Sequence, residues 1–282
     1  MPARGYEETV QPFDSFESWQ GWEKDHPETR DLEWMRSIAE YAAAHGAYSK
    51  FFGRHFTAAE VEVGGENYRE ELLVGGFNPR QRVLLELLAE WPPAARAETA
   101  ELRIYAPEAL TTFALALRGR YPRFLGSEYT TSREKEKWLF PITVEDLQQL
   151  SFPAESFDCV ITGEVLEHIP NLRRGLAELC RILRPGGSLL STFPFEFREP
   201  LTQVRATLDE STGIVTHLVE PEYHRDYIDL SGVLVYQVPA WDVVPLCREA
   251  GFSQAEMVYF SSVRRAITGG NVAGIFVLRC YR

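Results

Sequence analysis

Between Leu102 and Phe193 short apolar runs alternate with stretches of helical spacing, and this alternation leaves few architectures open to the chain. The runs are Leu102–Tyr105, Phe124–Tyr129, Phe157–Thr162 and Ser188–Phe193. Leu110–Arg118 and Leu172–Leu183 carry the helical spacing, and Arg184-Pro185-Gly186-Gly187 makes the last turn. Strand, helix, strand with tight turns implies right-handed crossovers and a parallel sheet. In such a sheet, ligands bind beyond the carboxyl ends of the strands, where the strand order changes direction. The residues that end the runs therefore matter most: Tyr105–Glu108, Ser127–Tyr129, Gly163–Glu164 and Phe193–Phe195.

The flanks are different. The first 95 residues read as mostly helical. Asp31–His45 spaces Leu32, Met35, Ile38 and Tyr41 or Ala42 along one face, with Gly46 as the stop. Asn78-Pro79-Arg80 starts a second helix, Gln81–Trp91, which Pro92-Pro93 ends. Between them, Val61–Gly76 reads as a short hairpin or loop. At the other end, Ala240–Ala250 is a helix closed by Gly251, and Glu256–Ser262 and Gly274–Tyr281 read as an antiparallel strand pair at the sheet edge.

Charge narrows the partners. A formal net charge of −12, with Lys and Arg scattered, lacks the concentrated positive field that a phosphate backbone needs. No nucleic-acid partner is expected. The apolar runs are too short to cross a bilayer and no signal-like segment opens the chain, so no membrane partner and a cytoplasmic location are expected. Cys159, Cys180, Cys247 and Cys280 form no C-x-x-C pair and read as small core residues. The six histidines make no H-x-x-x-H pattern, and no metal site is expected.

The most specific stretch is Glu145–Phe195, EDLQQLSFPAESFDCVITGEVLEHIPNLRRGLAELCRILRPGGSLLSTFPF. It resembles the class I S-adenosylmethionine-dependent methyltransferases of the type 11 kind. That resemblance implies an α/β Rossmann-like fold: a mostly parallel seven-stranded sheet with an antiparallel C-terminal edge. The expected layout is a mostly helical cap or substrate region over 1–95 and a methyltransferase domain over 96–282, with a lid-like insertion at 196–238. It also implies S-adenosyl-L-methionine as cofactor. Glu128, closing the second strand before Tyr129, is placed to accept from both ribose hydroxyls. The resemblance implies that Asp146 accepts from the adenine amino group while Leu147 offers its N–H and side chain to the ring. Gly163 and Glu164 follow the next strand, and Glu164 would face the methionine end or the substrate. Glu167 and His168 come next; His168 reads as a structural histidine at a helix start.

The first motif departs from the family. Where an acid and a Gly-x-Gly turn are usual, this chain has Ala106-Pro107-Glu108-Ala109. It resembles a branch with an A-P-E loop, in which Glu108 could bind the methionine amino group. The same loop is also compatible with a weakened cofactor site. Upstream, Asn67-Tyr68-Arg69-Glu70 and Asn78-Pro79-Arg80-Gln81-Arg82 match that branch, while Val74-Gly75-Gly76 stands where it carries a cysteine pair.

On the substrate side, EPEYHRDYIDLSGVLVYQVPAWD resembles a pattern in related methyltransferases and marks Tyr223, Tyr236, Gln237 and Trp241 as pocket candidates. Methyl transfer from a sulfonium mainly needs alignment and dryness, but a hydroxyl acceptor also needs a base. His224, ahead of His217, is the candidate; a loop histidine bonded to backbone is the other reading. The expected function is methylation of a small molecule, at a natural-product or sugar-derived hydroxyl. A binding module with a degenerate site, or a methyltransferase fold turned to non-methylating chemistry such as cyclisation, are the alternatives. A homodimer is among the assemblies left open.

Overall fold

A computed structural model describes residues 8–91 and 99–282. In chain order the principal elements are β1 (Glu8–Phe13), α1 (Phe16–Lys24), α2 (Leu32–His45), α3 (Pro79–Glu90), β2 (Ile104–Ala106), α4 (Thr112–Arg120) and β3 (Leu125–Glu128). They continue with β4 (Thr143–Val144), β5 (Phe157–Gly163), α5 (Leu172–Ile182), β6 (Leu183–Thr192), α6 (Val243–Glu249), β7 (Gln254–Ser262) and β8 (Ile275–Tyr281). The chain divides into two units: 1–97 with 256–279, and 98–255 with 280–282.

The first unit joins the N-terminal residues to most of β7 and β8. Strand β1 pairs antiparallel with β7, from Glu8 opposite Ser262 to Phe13 opposite Met257. Ser15 caps α1 through a reciprocal pair with Ser18, which delivers Trp19 into the interior. Trp19 is fully buried with its ring edge-on to Phe13 at 5.3 Å and to Phe276 at 4.9 Å. Asp31 caps α2 by accepting from the N–H of Glu33 and Trp34. Gly46 ends it at φ 81°, and a Cβ there would sit 1.9 Å from the Phe56 carbonyl oxygen. Asn78 and Gln81 form the capping box of α3. With the expected helices come β1 and two short antiparallel pairs, Ala47–Ser49 with Arg54–Phe56 and Val61–Val63 with Leu72–Val74. The Pro92-Pro93 stop lies outside the described residues.

The second unit holds the parallel strands, in the order β4–β3–β2–β5–β6. The register sets Ile104 beside Cys159, Tyr105 beside Leu125, and Glu128 beside Val144. Strand β5 is buried from Phe157 to Thr162, as a strand covered on both faces must be. In α5, Leu172, Leu176, Leu179 and Ile182 face inward. The order reverses at β2 and β5, so their carboxyl ends flank the crevice in which a ligand is expected. The seven expected strands are β2–β8, and β1 is an addition. Residues 196–238 contain three short antiparallel pairs, among them Tyr223–His224 with Val233–Leu234. All four cysteines are buried and free. Among the described residues no helix is long and apolar enough to cross a membrane.

Candidate functional site

The second unit contains a cavity of about 720 Å³ with two kinds of wall. Strand ends and the loops after them contribute Pro107, Glu128, Tyr129, Asp146, Leu147 and Glu164. The 196–238 segment contributes Leu208, Tyr223, Asp226, Ile228, Leu234 and Tyr236, and His168 lines the same space.

Glu128 ends β3 and reaches back to the loop after β2. Its Oε1 accepts from the backbone N–H of Ala109 at 2.8 Å and of Leu110 at 3.1 Å. Burial pushes this carboxyl above its usual value, and the two amide bonds act against that rise. Oε2 has no hydrogen bond among the described residues. The loop comes this close because β3 carries Gly126: a Cβ there would meet the Glu108 carbonyl oxygen at 2.5 Å and Ala109 Cα at 2.9 Å. The glycine that permits close approach thus stands on the neighbouring strand, not in the loop after β2. Asp146 uses Oδ1 to accept from the N–H of Gln148 at 2.8 Å. Leu147 beside it is buried.

Glu164 follows β5 with φ 56°, a left-handed conformation that a non-glycine residue holds at a cost, and its N–H donates to Thr192 O at 2.8 Å. The turn Leu166–His168 comes next and is held from outside. Gln237 Nε2 donates to Leu166 O at 2.9 Å and Ile169 O at 2.7 Å, and the Tyr236 N–H donates to Glu167 O at 2.9 Å. His168 Nδ1 lies 2.9 Å from Leu234 O; a carbonyl only accepts, so that nitrogen carries the proton.

Behind the cavity wall lies a fully buried carboxylate. Glu167 Oε1 is 3.7 Å from His168 Nε2 and 3.6 Å from His224 Nδ1, and neither carboxylate oxygen has a hydrogen bond. Burial pushes the Glu167 carboxyl up, against the pull of His224. The Glu167 carboxylate in turn holds the His224 imidazole above its usual value, with a smaller push from Glu222. Glu222 Oε1 lies 3.3 Å from the other ring nitrogen of His224.

Six sequence candidates thus share one strand-end wall, and Tyr223 and Tyr236 face them from the insertion. The others stand behind it. Ala106 is buried in β2, Glu108 accepts from Thr111 Oγ1 at 2.6 Å, and Gly163 closes β5. Gln237 is committed to the turn, and Trp241 Nε1 donates to Phe197 O at 2.9 Å. Both ring nitrogens of His224 face carboxylates.

Residues 124–191 match the family described as "Methyltransferase domain". Over that quarter of the chain the sequence is similar to methyltransferase domains. The match covers β3–β5, α5 and nearly all of β6. Among curated proteins, the chain is similar to the ubiquinone/menaquinone biosynthesis C-methyltransferase of Laribacter hongkongensis, at 31% identity over 29% of this chain and 34% of that protein. It is also similar to the human mitochondrial ubiquinone biosynthesis O-methyltransferase, at 30% identity over 30% of this chain and 25% of that protein. The chain thus spans about a third or less of the length of these relatives. A solved S-adenosylmethionine-dependent methyltransferase from Mesorhizobium loti aligns at 17% identity and a TM-score of 0.43, covering 70% of this chain and 95% of that one.

Sequence reasoning read His168 as structural, yet it lines the cavity; Glu167 was named without a role, and Gly126 was overlooked. One signal was available: Glu164, Glu167 and His168 stand three and one residues apart directly after a strand end. The partner, His224, comes from 56 residues further on, a pairing that only the fold reveals.

Proposed function

We propose that this cavity binds S-adenosylmethionine and passes its methyl group to a small-molecule acceptor at a hydroxyl oxygen. The observation that carries this reading is the convergence of Glu128, Asp146 and Leu147 from separate strand ends on one wall. Each carboxylate has one oxygen outside its described hydrogen bonds. Glu128 Oε2 would take the ribose hydroxyls, and Asp146 the adenine amino group. Leu147 and Tyr129 would cover the ring, Pro107 would border it, and Glu164 would take the methionine amino group. A volume near 720 Å³ admits a nucleoside-sized cofactor together with a small acceptor.

The bound cofactor supplies a methyl group on a sulfonium, which needs no activation. The protein's task is alignment in a dry space. The acceptor oxygen takes the methyl carbon in line as the C–S bond breaks, leaving a thioether, and the hydroxyl proton passes to bulk water. Tyr223 and Tyr236 would frame the acceptor. Both relatives are named for ubiquinone biosynthesis, one as a C- and one as an O-methyltransferase. Oxygen is favoured here because the histidine–carboxylate group borders the cavity. His224 enters the scheme through Glu167 and is a positioning residue.

Calorimetry with S-adenosylmethionine, followed by mass spectrometry on a panel of hydroxylated aromatic and sugar acceptors, tests this. Stoichiometric binding and an added CH₂ per turnover are expected. No binding at millimolar cofactor contradicts the proposal.

A further inference from the structure

Glu167 is a costly group to bury. Its side chain is fully buried, and neither carboxylate oxygen accepts a hydrogen bond. A carboxylate taken out of water without partners calls for a compensating charge. Two imidazoles approach Oε1, at 3.6 and 3.7 Å. Hydrogen bonds between such groups settle at about 2.7–3.2 Å, so these approaches are too long. They match the spacing of donors around one ion: two ligands about 2.1 Å from a tetrahedral cation stand about 3.4 Å apart. The donor atoms of Glu167, His168 and His224 all lie within 4.8 Å of one another.

Both rings are also prepared on their far sides. His168 donates Nδ1–H to Leu234 O at 2.9 Å, which leaves the lone pair on Nε2. His224 presents Nδ1 to Glu167 while Glu222 Oε1 holds Nε2 at 3.3 Å. A carbonyl or carboxylate on the second nitrogen is what fixes the tautomer and direction of a ligating histidine.

The geometry points to a binding site for one divalent transition-metal cation, made by Glu167 Oε1, His168 Nε2 and His224 Nδ1. Two imidazoles and one carboxylate select a first-row cation such as Zn²⁺ over Mg²⁺ or Ca²⁺, which prefer all-oxygen sets. The burial and the Glu164 repulsion that push the Glu167 carboxyl up would be offset by the same ion. His168 also lines the cavity, so the site adjoins it. The use of the ion, unlike its binding, rests on the methyltransferase reading. There it would acidify an acceptor hydroxyl at the wall; the proton passes to bulk water, and the oxygen takes the methyl carbon as the C–S bond breaks.

The test uses chelator-stripped full-length protein titrated with Zn²⁺ by calorimetry and with Co²⁺ by visible absorption, beside His168→Ala, His224→Ala and Glu167→Gln. One equivalent of Zn²⁺, a Co²⁺ band of histidine–carboxylate type, and weakening of about a hundredfold in each variant are expected. Wild-type thermal stability should rise with Zn²⁺, which reads the site without any variant having to fold. Absence of a Zn²⁺-dependent rise and of a stoichiometric Co²⁺ band overturns the site. So does equal affinity in folded variants. S-adenosylhomocysteine binding, measured on the same stripped protein, separates the two proposals. Cofactor binding without metal binding sinks this inference alone; metal binding without cofactor binding upholds the site and sinks the methyltransferase reading.

Discussion

The two walls of the cavity are built in opposite ways. On the strand-end wall, Glu128 and Asp146 sit where parallel strands stop, and backbone amides fix their carboxylates. The insertion wall rests on strand pairs of two to four residues, Tyr223–His224 with Val233–Leu234, Gln203–Val204 with Gln237–Val238 and Ala206–Asp209 with Ile214–His217. It also leaves apolar side chains in water, with Tyr227 87% and Leu230 96% exposed. Three points tie the insertion to the turn after β5: the Gln237 amide on Leu166 and Ile169, the Tyr236 N–H on Glu167 O, and the Leu234 carbonyl on His168. The contrast separates tasks. The first wall suits a ligand that never varies, and the second suits one that a family can change by editing a loop.

Changes on the first wall should therefore act on cofactor binding and changes on the second should spare it. The largest effect is expected at Gly126. Its Cβ would strike backbone 2.5 Å away, so Gly126→Val should destabilise the protein by about 3 kcal/mol and abolish S-adenosylhomocysteine binding, read by thermal melting and calorimetry. Glu128→Ala removes charge-assisted bonds of about 1.5–3 kcal/mol, and cofactor affinity should drop roughly ten- to a hundredfold.

The same residue predicts a pH dependence. Ribose binding at Glu128, as proposed, would use the ionised carboxylate, and burial has raised the Glu128 carboxyl. Affinity should thus fall as pH drops from neutral, beginning above the range in which an exposed glutamate protonates. Glu128→Gln should flatten that part of the profile. A wild-type profile unchanged in Glu128→Gln would assign the titration elsewhere.

Asp146→Ala removes one hydrogen bond to a neutral amino group, about 1 kcal/mol, and should weaken the cofactor about fivefold. Gln237→Ala removes two hydrogen bonds to carbonyls at the base of the insertion. It should raise the acceptor KM while the cofactor Kd moves less than it does in Asp146→Ala. Leu230→Ser, at the exposed tip, should change stability by no more than about 0.5 kcal/mol and leave cofactor affinity unaltered. A cofactor loss from Gln237→Ala larger than that from Glu128→Ala would erase the distinction between the walls.

The same contrast explains what the sequence made legible. Local rules carried the long elements: Asp31 and Gly46 bound α2, Asn78 and Gln81 open α3, and the apolar runs became β2, β3, β5 and β6. Strand ends are where pattern and site coincide, so Glu128 could be named from its place at a strand end, while Asp146 was named from the family resemblance. The insertion's strands are two to four residues long, too short for a period to register. β1 alternates over six residues, but its role depends on Met257–Ser262, more than two hundred residues away in the chain. His168 looked like a local helix-start residue because its partners, Leu234 and His224, are likewise distant in sequence. Gly126 was overlooked for a related reason: its requirement comes from the backbone of Glu108 and Ala109, on a different element.

The central claim is that a nucleoside cofactor lies on the strand-end wall, held by Glu128 and Asp146. Calorimetric titration of S-adenosylhomocysteine into the wild type and into the Glu128→Ala/Asp146→Ala double variant tests it most directly. The account predicts one-to-one binding to the wild type in the micromolar range, and at least a hundredfold loss in a double variant that keeps its thermal transition. A wild type that does not bind, or a folded double variant that binds equally well, would contradict it.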